Sequence, residues 1–370
     1  MFLKVVYIVS TLKASGPINI LYNLIKYIDR KEFEPIIVTL SPEPNGSMKS
    51  EFESLGIEVK TLNLSRAGGI LKGPQQLKQL MVKIDPDIIH THGHRADIYS
   101  ALFLNRYRNI STAHNYPFED YVMKYGKVIG NVLSVANIYA FKRMDLSVGC
   151  SNTISSLLKK HKVNSISIQN GVDTENFYPI TEIEKRKLRK KLNIPENKKL
   201  LVSIGSLIYR KNPEMIINAF KKSKIQKDAI LIFLGDGKLR EACEAAKGSN
   251  SNIKILGHVN NVNEYLKAAD YFVTASRSEG LPNTVLEALA TGVPIIVSNI
   301  MQHLEILQYN NDSGYDFDIH NEKSLVDVLN RISETENKLQ VKSCLDIIGH
   351  LNAENMTKKY EKIYKQVVYK

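Results

Sequence analysis

Short apolar runs of strand length alternate with stretches of helical periodicity along nearly all of this 370-residue chain, and that alternation restricts the fold more than any other feature. Runs such as Leu3–Val9, Leu200–Ile204, Ile230–Leu234 and Ile295–Val297 are continuous rather than alternating in polarity, as in strands buried on both faces. Strands of this kind separated by helical segments imply parallel sheets with crossover helices. A chain of this length suits two such domains, each able to bury its own core.

Charge and cysteine usage narrow the class further. Fifty Lys plus Arg against thirty-eight Asp plus Glu leave a net charge of +12, which favours anionic partners. No nucleic-acid module is recognisable and Trp is absent, so nucleic acid is not an expected partner. The segment from Tyr121 to Gly130, continuing through Asn137 to Lys142-Arg143, mixes apolar and basic residues. It reads either as a core-facing helix or as one that lies on an anionic membrane. Cys150, Cys243 and Cys344 are widely spaced and odd in number, which argues for a reducing compartment. The apolar run after Lys4 is too brief for a signal peptide and no stretch reaches membrane-spanning length, so a cytosolic protein is expected, peripheral at most to the inner face of the membrane.

Three alternating histidines, His90, His92 and His94, invite a metal reading. His94 lies beyond a glycine, however, and no cysteine pair or carboxylate stands at zinc-type spacing, so no metal is expected. The strand Leu3–Val9 runs through a small-residue loop containing Gly16 into a helix reaching Tyr27, a phosphate-friendly arrangement. It lacks the Gly-x-Gly-x-x-Gly fingerprint, against a nicotinamide enzyme.

The most informative segment runs from Ser276 to Pro294. Glu279 sits in a Gly/Pro loop with Gly280 and Leu281, and Glu287 lies inside the helix that starts after Pro282. Backbone N–H groups of Asn283, Thr284 and Val285 at that helix start are expected to point toward phosphate oxygens. The two carboxylates suit hydroxyls at either end of a nucleotide-sugar, as charge-assisted acceptors. Upstream, Arg210 and Lys211 follow the strand Leu200–Ile204, at the strand end where parallel sheets bind ligands.

Two glutamates separated by seven residues and followed by Ala-Leu-Ala-Thr-Gly-Val-Pro and an apolar strand resemble the signature of retaining glycosyltransferases of family four. The resemblance implies a GT-B fold: α/β, with two Rossmann-like domains whose parallel sheets face each other across a cleft. It places residues 1–170 in an acceptor-binding domain and 171–351 in a donor-binding domain, joined by a hinge within Ile166–Asp173. The C-terminal helix, about 352–370, packs back on the first domain. The charged stretch 181–197 that follows the hinge reads as a surface linker helix.

By the same resemblance Lys211 is the diphosphate lysine and Arg210 its partner, because Ser206 stands where many members carry an arginine. His114 is the active-site histidine beside the transferred sugar, and Gly16 is a point of close approach. His92, and Arg66 in a flexible loop from Ser65 to Gly69, fall on the acceptor side, with His90 as a packed strand residue. The implied activity is transfer from a nucleotide-sugar, UDP being commonest, to a glycan or lipid-linked acceptor with retention and without metal or other cofactor, in cell-surface polysaccharide assembly. A nucleotide-sugar 2-epimerase and a non-catalytic sugar-binding protein remain alternatives.

Overall fold

The computed structural model describes residues 2–334 and 341–369, apart from the side chains of 66–68, 70, 71 and 334. The chain divides into two units, Met1–Gly171 with Ala353–Lys370, and Val172–Asn352. The dividing point after Gly171 falls within the Ile166–Asp173 segment.

The first unit holds a seven-stranded parallel sheet: β1 (Leu3–Val9), β2 (Phe33–Thr39), β3 (Glu58–Thr61), β4 (Ile88–His92), β5 (Arg108–Ala113), β6 (Leu146–Gly149) and β7 (Ser165–Ser167), in the order β3-β2-β1-β4-β5-β6-β7. The second repeats the plan with six parallel strands: β8 (Lys199–Ile204), β9 (Ala229–Leu234), β10 (Ile253–Ile255), β11 (Tyr271–Thr274), β12 (Ile295–Ser298) and β13 (Gly314–Phe317), in the order β10-β9-β8-β11-β12-β13. In each sheet the strand order reverses once, between β1 and β4 and between β8 and β11. Such reversals open a crevice outside the carboxyl ends of the strands, where open α/β sheets take their ligands.

The continuous apolar strands are buried on both faces, as their composition requires. In the first unit Val5, Tyr7 and Val9 meet the helix Gly16–Tyr27 and the C-terminal helix Ala353–Val368, while Val6 and Ile8 meet Leu77, Met81 and Ile84 of a helix on the other side. The C-terminal helix contributes Tyr360 and Tyr364 to a buried polar chain. The Tyr364 hydroxyl lies 3.1 Å from that of Tyr7 and 2.7 Å from His90 Nδ1; His90 Nε2 lies 2.8 Å from Thr112 Oγ1, which is 2.9 Å from the Tyr360 hydroxyl. His90 is thus the packed strand residue expected.

Two local expectations need correction. The segment from Ser65 to Gly69 is not a loop: Arg66 opens the nineteen-residue helix Arg66–Ile84, and the Gly69 amide donates to the Ser65 carbonyl at 2.8 Å. The buried stripe Leu77, Met81 and Ile84 downstream rewards helix formation enough to carry the two glycines along. The charged stretch 181–197 forms the helix Glu182–Lys191, started by a Thr181–Glu184 capping box and ended before left-handed Asn193, but it is more than a solvated linker. Arg189 is buried, donating to the Ala268 carbonyl and, at 2.5 Å, to Asp270, which also pairs with Lys185 at 2.8 Å. Asp270 in turn accepts from the Leu200 amide, so the helix is pinned to the start of β8. Among the described residues no helix is long and apolar enough to cross a membrane.

Candidate active site

Two loops meet over the reversal point of the second sheet. After β8 the chain passes Gly205 and makes a single 3-10 turn, Tyr209–Lys211, and Asn212 then takes a left-handed conformation (φ 51°, ψ 50°) before the helix Pro213–Lys222. Asn tolerates that conformation better than most side chains do, and its amide oxygen accepts from Arg277 at 3.1 Å. After β11 the chain passes Ser276 and descends through Glu279 to the helix Asn283–Ala290. The neighbouring loop after β9 packs so tightly that a Cβ on Gly235 (φ +143°) would lie 2.1 Å from the Gly205 carbonyl oxygen, so only glycine fits there.

Glu279 is the hub. Its buried carboxylate accepts from Arg210 Nη1 at 2.7 Å on one oxygen and from Lys211 Nζ at 2.5 Å on the other. Arg210 also donates to the Ser278 carbonyl, at 2.7 Å. Burial by itself would push the Glu279 carboxyl up, but the charges of Lys211 and Arg210 prevail and hold it well below the usual carboxylate range. The sequence reading gave these three residues separate contacts with donor sugar and diphosphate. They pair with one another, which sets two cations and one anion together at the strand ends.

Glu287 is the fifth residue of the helix Asn283–Ala290, one turn inside it. Burial pushes its carboxyl up to about 7, with the Lys211 charge partly opposing. Of the helix-start amides, Val285 is not available as expected: its N–H donates to the Pro282 carbonyl at 3.1 Å, because the helix opens with a tight i→i−3 turn. Asn283 and Thr284 occupy the first two helical positions, while Gly280 and Leu281 are buried in the connecting loop.

The sequence reading missed His303. It is fully buried in the helix Met301–Leu307 after β12, and its Nδ1 donates to the Ser298 carbonyl at 2.8 Å, which leaves Nε2 unprotonated. That nitrogen has no partner among the described residues. Burial lowers the ring to about 4, with Glu279 and Lys211 both close enough to act on it. A lone histidine just past the carboxyl end of an otherwise apolar strand was the available signal.

At the reversal point of the first sheet the groups are neutral. His92 ends β4, His114 follows β5, and His92 Nδ1 lies 2.9 Å from His114 Nε2, so one ring donates and the other accepts. Burial lowers His114 to about 4 and, with His90 and His114 nearby, holds His92 well below its usual value. Gly16 is the exposed first residue of its helix and needs no left-handed conformation. The Arg66 side chain lies outside the described residues. Among those described, no group of three or more His, Cys, Asp or Glu side chains is arranged to hold a metal ion.

Comparison with known proteins identifies the family. The family "Glycosyltransferase Family 4" matches residues 15–176 and "Glycosyl transferases group 1" matches residues 184–343. The chain is 27% identical to the O-antigen biosynthesis glycosyltransferase WclY of Escherichia coli over 98% of each chain. It is 29% identical to the UDP-Gal:alpha-D-GlcNAc-diphosphoundecaprenol alpha-1,3-galactosyltransferase of Escherichia coli, over 79% of this chain and 78% of that one. Among solved structures, Anabaena HepE in complex with UDP-glucose superposes with a TM-score of 0.82 at 17% identity, covering 98% of this chain and 99% of that one. With one family filling most of each unit, the chain belongs to the GT-B glycosyltransferases, its N-terminal part of family 4 and its C-terminal part of group 1.

Proposed function

We propose that this glycosyltransferase moves a sugar from a UDP-sugar to a glycan carried on a lipid diphosphate, with retention at the anomeric carbon, in the assembly of a cell-surface polysaccharide. The observation that carries this reading is Glu279 held between Arg210 and Lys211 at the strand ends of the second sheet, with the start of the helix Asn283–Ala290 beside it. A diphosphate brings to those cations the kind of oxygen the carboxylate already offers, and the helix start adds a favourable dipole. The names of the relatives support the chemical class: one is an O-antigen enzyme, another takes UDP-galactose and a diphosphoundecaprenol-linked acceptor, and HepE is seen with UDP-glucose.

In this reading the bond between the anomeric carbon and the diphosphate oxygen breaks while a glycosidic bond forms to the acceptor hydroxyl on the same face. The hydroxyl proton passes to the departing phosphate oxygen. Lys211 and Arg210 stabilise the charge left on UDP, a role for fixed cations that needs no metal. Glu279 and Glu287 take hydroxyls of the sugar and the ribose, and the raised carboxyl of Glu287 can donate as well as accept. His114, kept neutral, offers a hydrogen bond where positive charge develops. Three free, buried cysteines suit the cytoplasmic side, where this enzyme is proposed to work.

The test is calorimetry against a panel of nucleotide-sugars, followed by transfer to a synthetic lipid-diphosphate acceptor with and without EDTA, with NMR of the product linkage. Retained anomeric configuration with EDTA present is expected. Conversion of the donor alone, without acceptor, would instead identify an epimerase. Binding of no nucleotide-sugar would overturn the reading.

A further inference from the structure

Only half of the His303 ring is accounted for by the fold. Its Nδ1 donates to the Ser298 carbonyl at 2.8 Å and so ties the end of β12 to the helix Met301–Leu307. A carbonyl can only accept, so the proton of the neutral ring sits on Nδ1 and Nε2 keeps a lone pair. That nitrogen is shut off from water and has no partner among the described residues, and the side chain as a whole is 0% exposed. A buried acceptor left unmet costs about 1–3 kcal/mol. The Ser298 carbonyl asks for one donor, and nothing in that task needs a second nitrogen.

The surroundings define the group that Nε2 lacks. β11 and β12 pair in parallel, Thr274 beside Val297, so the loops that follow them run side by side at the carboxyl edge of the sheet. The loops are tied together: the Ser298 hydroxyl donates to the Ser276 carbonyl at 2.6 Å, and the Ser276 side chain hydrogen-bonds the Glu279 carboxylate. His303 thereby stands beside the charged cluster, and the charges that act on its ring are those of Glu279 and Lys211. Lys211 is committed to Glu279 at 2.5 Å and does not bond the ring. A phosphate or carboxylate oxygen would set lone pair against lone pair. A neutral O–H fits, because it gives its proton to Nε2 and keeps its oxygen free to accept from a neighbouring donor.

We infer that His303 is a specificity-determining residue of the donor site, whose Nε2 accepts a hydrogen bond from a hydroxyl of the transferred sugar. The inference rests on the reading of the second unit as a UDP-sugar site, and adds to it a residue and a selection rule: a sugar with a hydroxyl at that position is taken in preference to one without it, because only the hydroxyl meets the buried lone pair. The sugar is favoured over the ribose as the source of that hydroxyl because His303 adjoins Glu279, the carboxylate given to the sugar, rather than standing on the helix that carries Glu287.

Two substitutions separate a ligand role from a structural one, since each keeps one half of the ring. Asn puts its amide near the place of Nδ1 and can still donate to the Ser298 carbonyl, whereas Gln puts its amide near the place of Nε2 and can still accept. The readout is calorimetry of the whole chain with UDP, UDP-glucose and UDP-galactose, the probe being whichever sugar-nucleotide the wild type binds more tightly. His303→Asn is expected to weaken that probe by about tenfold, the worth of one hydrogen bond, with UDP changed by about twofold at most and His303→Gln within about threefold of wild type for both. In nitrogen NMR of the histidine-labelled wild type, the Nε2 signal should move upfield with the sugar-nucleotide and stay in place with UDP. That measurement needs no substitution, so it decides the matter even where a variant fails to fold. An Asn variant that holds the probe as tightly as the wild type overturns the inference, as does one that loses UDP equally. An Nε2 signal moved by UDP alone overturns it too, since the ring then serves the ribose or the base. A wild type that binds UDP but neither sugar-nucleotide overturns it while leaving a nucleotide site in place. Binding of none of the three instead overturns the proposed function, and this inference with it.

Discussion

The two sheets share one strand plan and one reversal of strand order, yet what stands at that reversal differs in kind. In the second unit it is charged: Arg210 and Lys211 close on a carboxylate held ionised against its own burial. In the first it is neutral: His92 and His114 share one hydrogen bond, both rings held uncharged by burial. A similar strand order thus supplies fixed cations in one place and an uncharged donor–acceptor pair in the other. Topology places a site, while the two or three side chains that follow each strand decide what it can bind.

The comparison breaks most visibly in catalysis. Lys211→Ala is expected to lower the rate of UDP release in the presence of acceptor by about a hundred-fold or more, as for loss of one charge-stabilising donor. Equal activity would remove the charged cluster from the reaction. The same substitution should cost about 3 kcal/mol in urea unfolding, because it leaves buried Glu279 short of one cation. Adding Glu279→Gln should recover part of that loss if the pairing is the cause.

The carboxylates sharpen the contrast through pH. Glu287, raised to about 7, is protonated more readily folded than unfolded, so its contribution favours folding below about pH 5 and fades as pH rises through 7. Glu287→Gln should therefore be the more stable protein above pH 7, by about 3 kcal/mol, and nearly equal near pH 4.5. Glu279 runs the other way: its contribution is full above the normal carboxylate range and is lost on acidification. The smallest effect belongs to the neutral pair. Ring carbon shifts of His92 and His114 should stay flat in NMR from pH 8 to about 5.5, with stability falling on acidification from about 6.5 toward 4 as the unfolded chain takes up protons first.

Continuous apolar strands and the Gly280-Leu281-Pro282 loop between two glutamates make both sheets, and the individual residues of the charged cluster, legible in the sequence. Local pattern reports burial and turn chemistry, and these decided those elements. Pairing across the chain was not legible. Nothing near Arg189 announces that Asp270 waits for it, and nothing near Glu279 says that it binds the cations assigned to phosphate. Ser65–Gly69 misled because two adjacent glycines suggest a loop, whereas a distant apolar stripe settles the helix. The helix Lys127–Lys142 was ambiguous because apolar residues stand on both of its sides: Ile138, Ala140 and Phe141 are buried, while Val128, Val132 and Val135 are exposed.

The Tyr364–His90–Thr112–Tyr360 chain has a consequence for biosynthesis. The helix that completes the first sheet is separated from it by 181 residues, Val172 to Asn352, which at ordinary elongation rates take roughly 10–35 s to make. During that interval Tyr7 and His90 Nδ1 lack the Tyr364 hydroxyl and one face of the nascent sheet lacks its cover. The part of the protein made earliest therefore finishes last, after the whole second unit has been made.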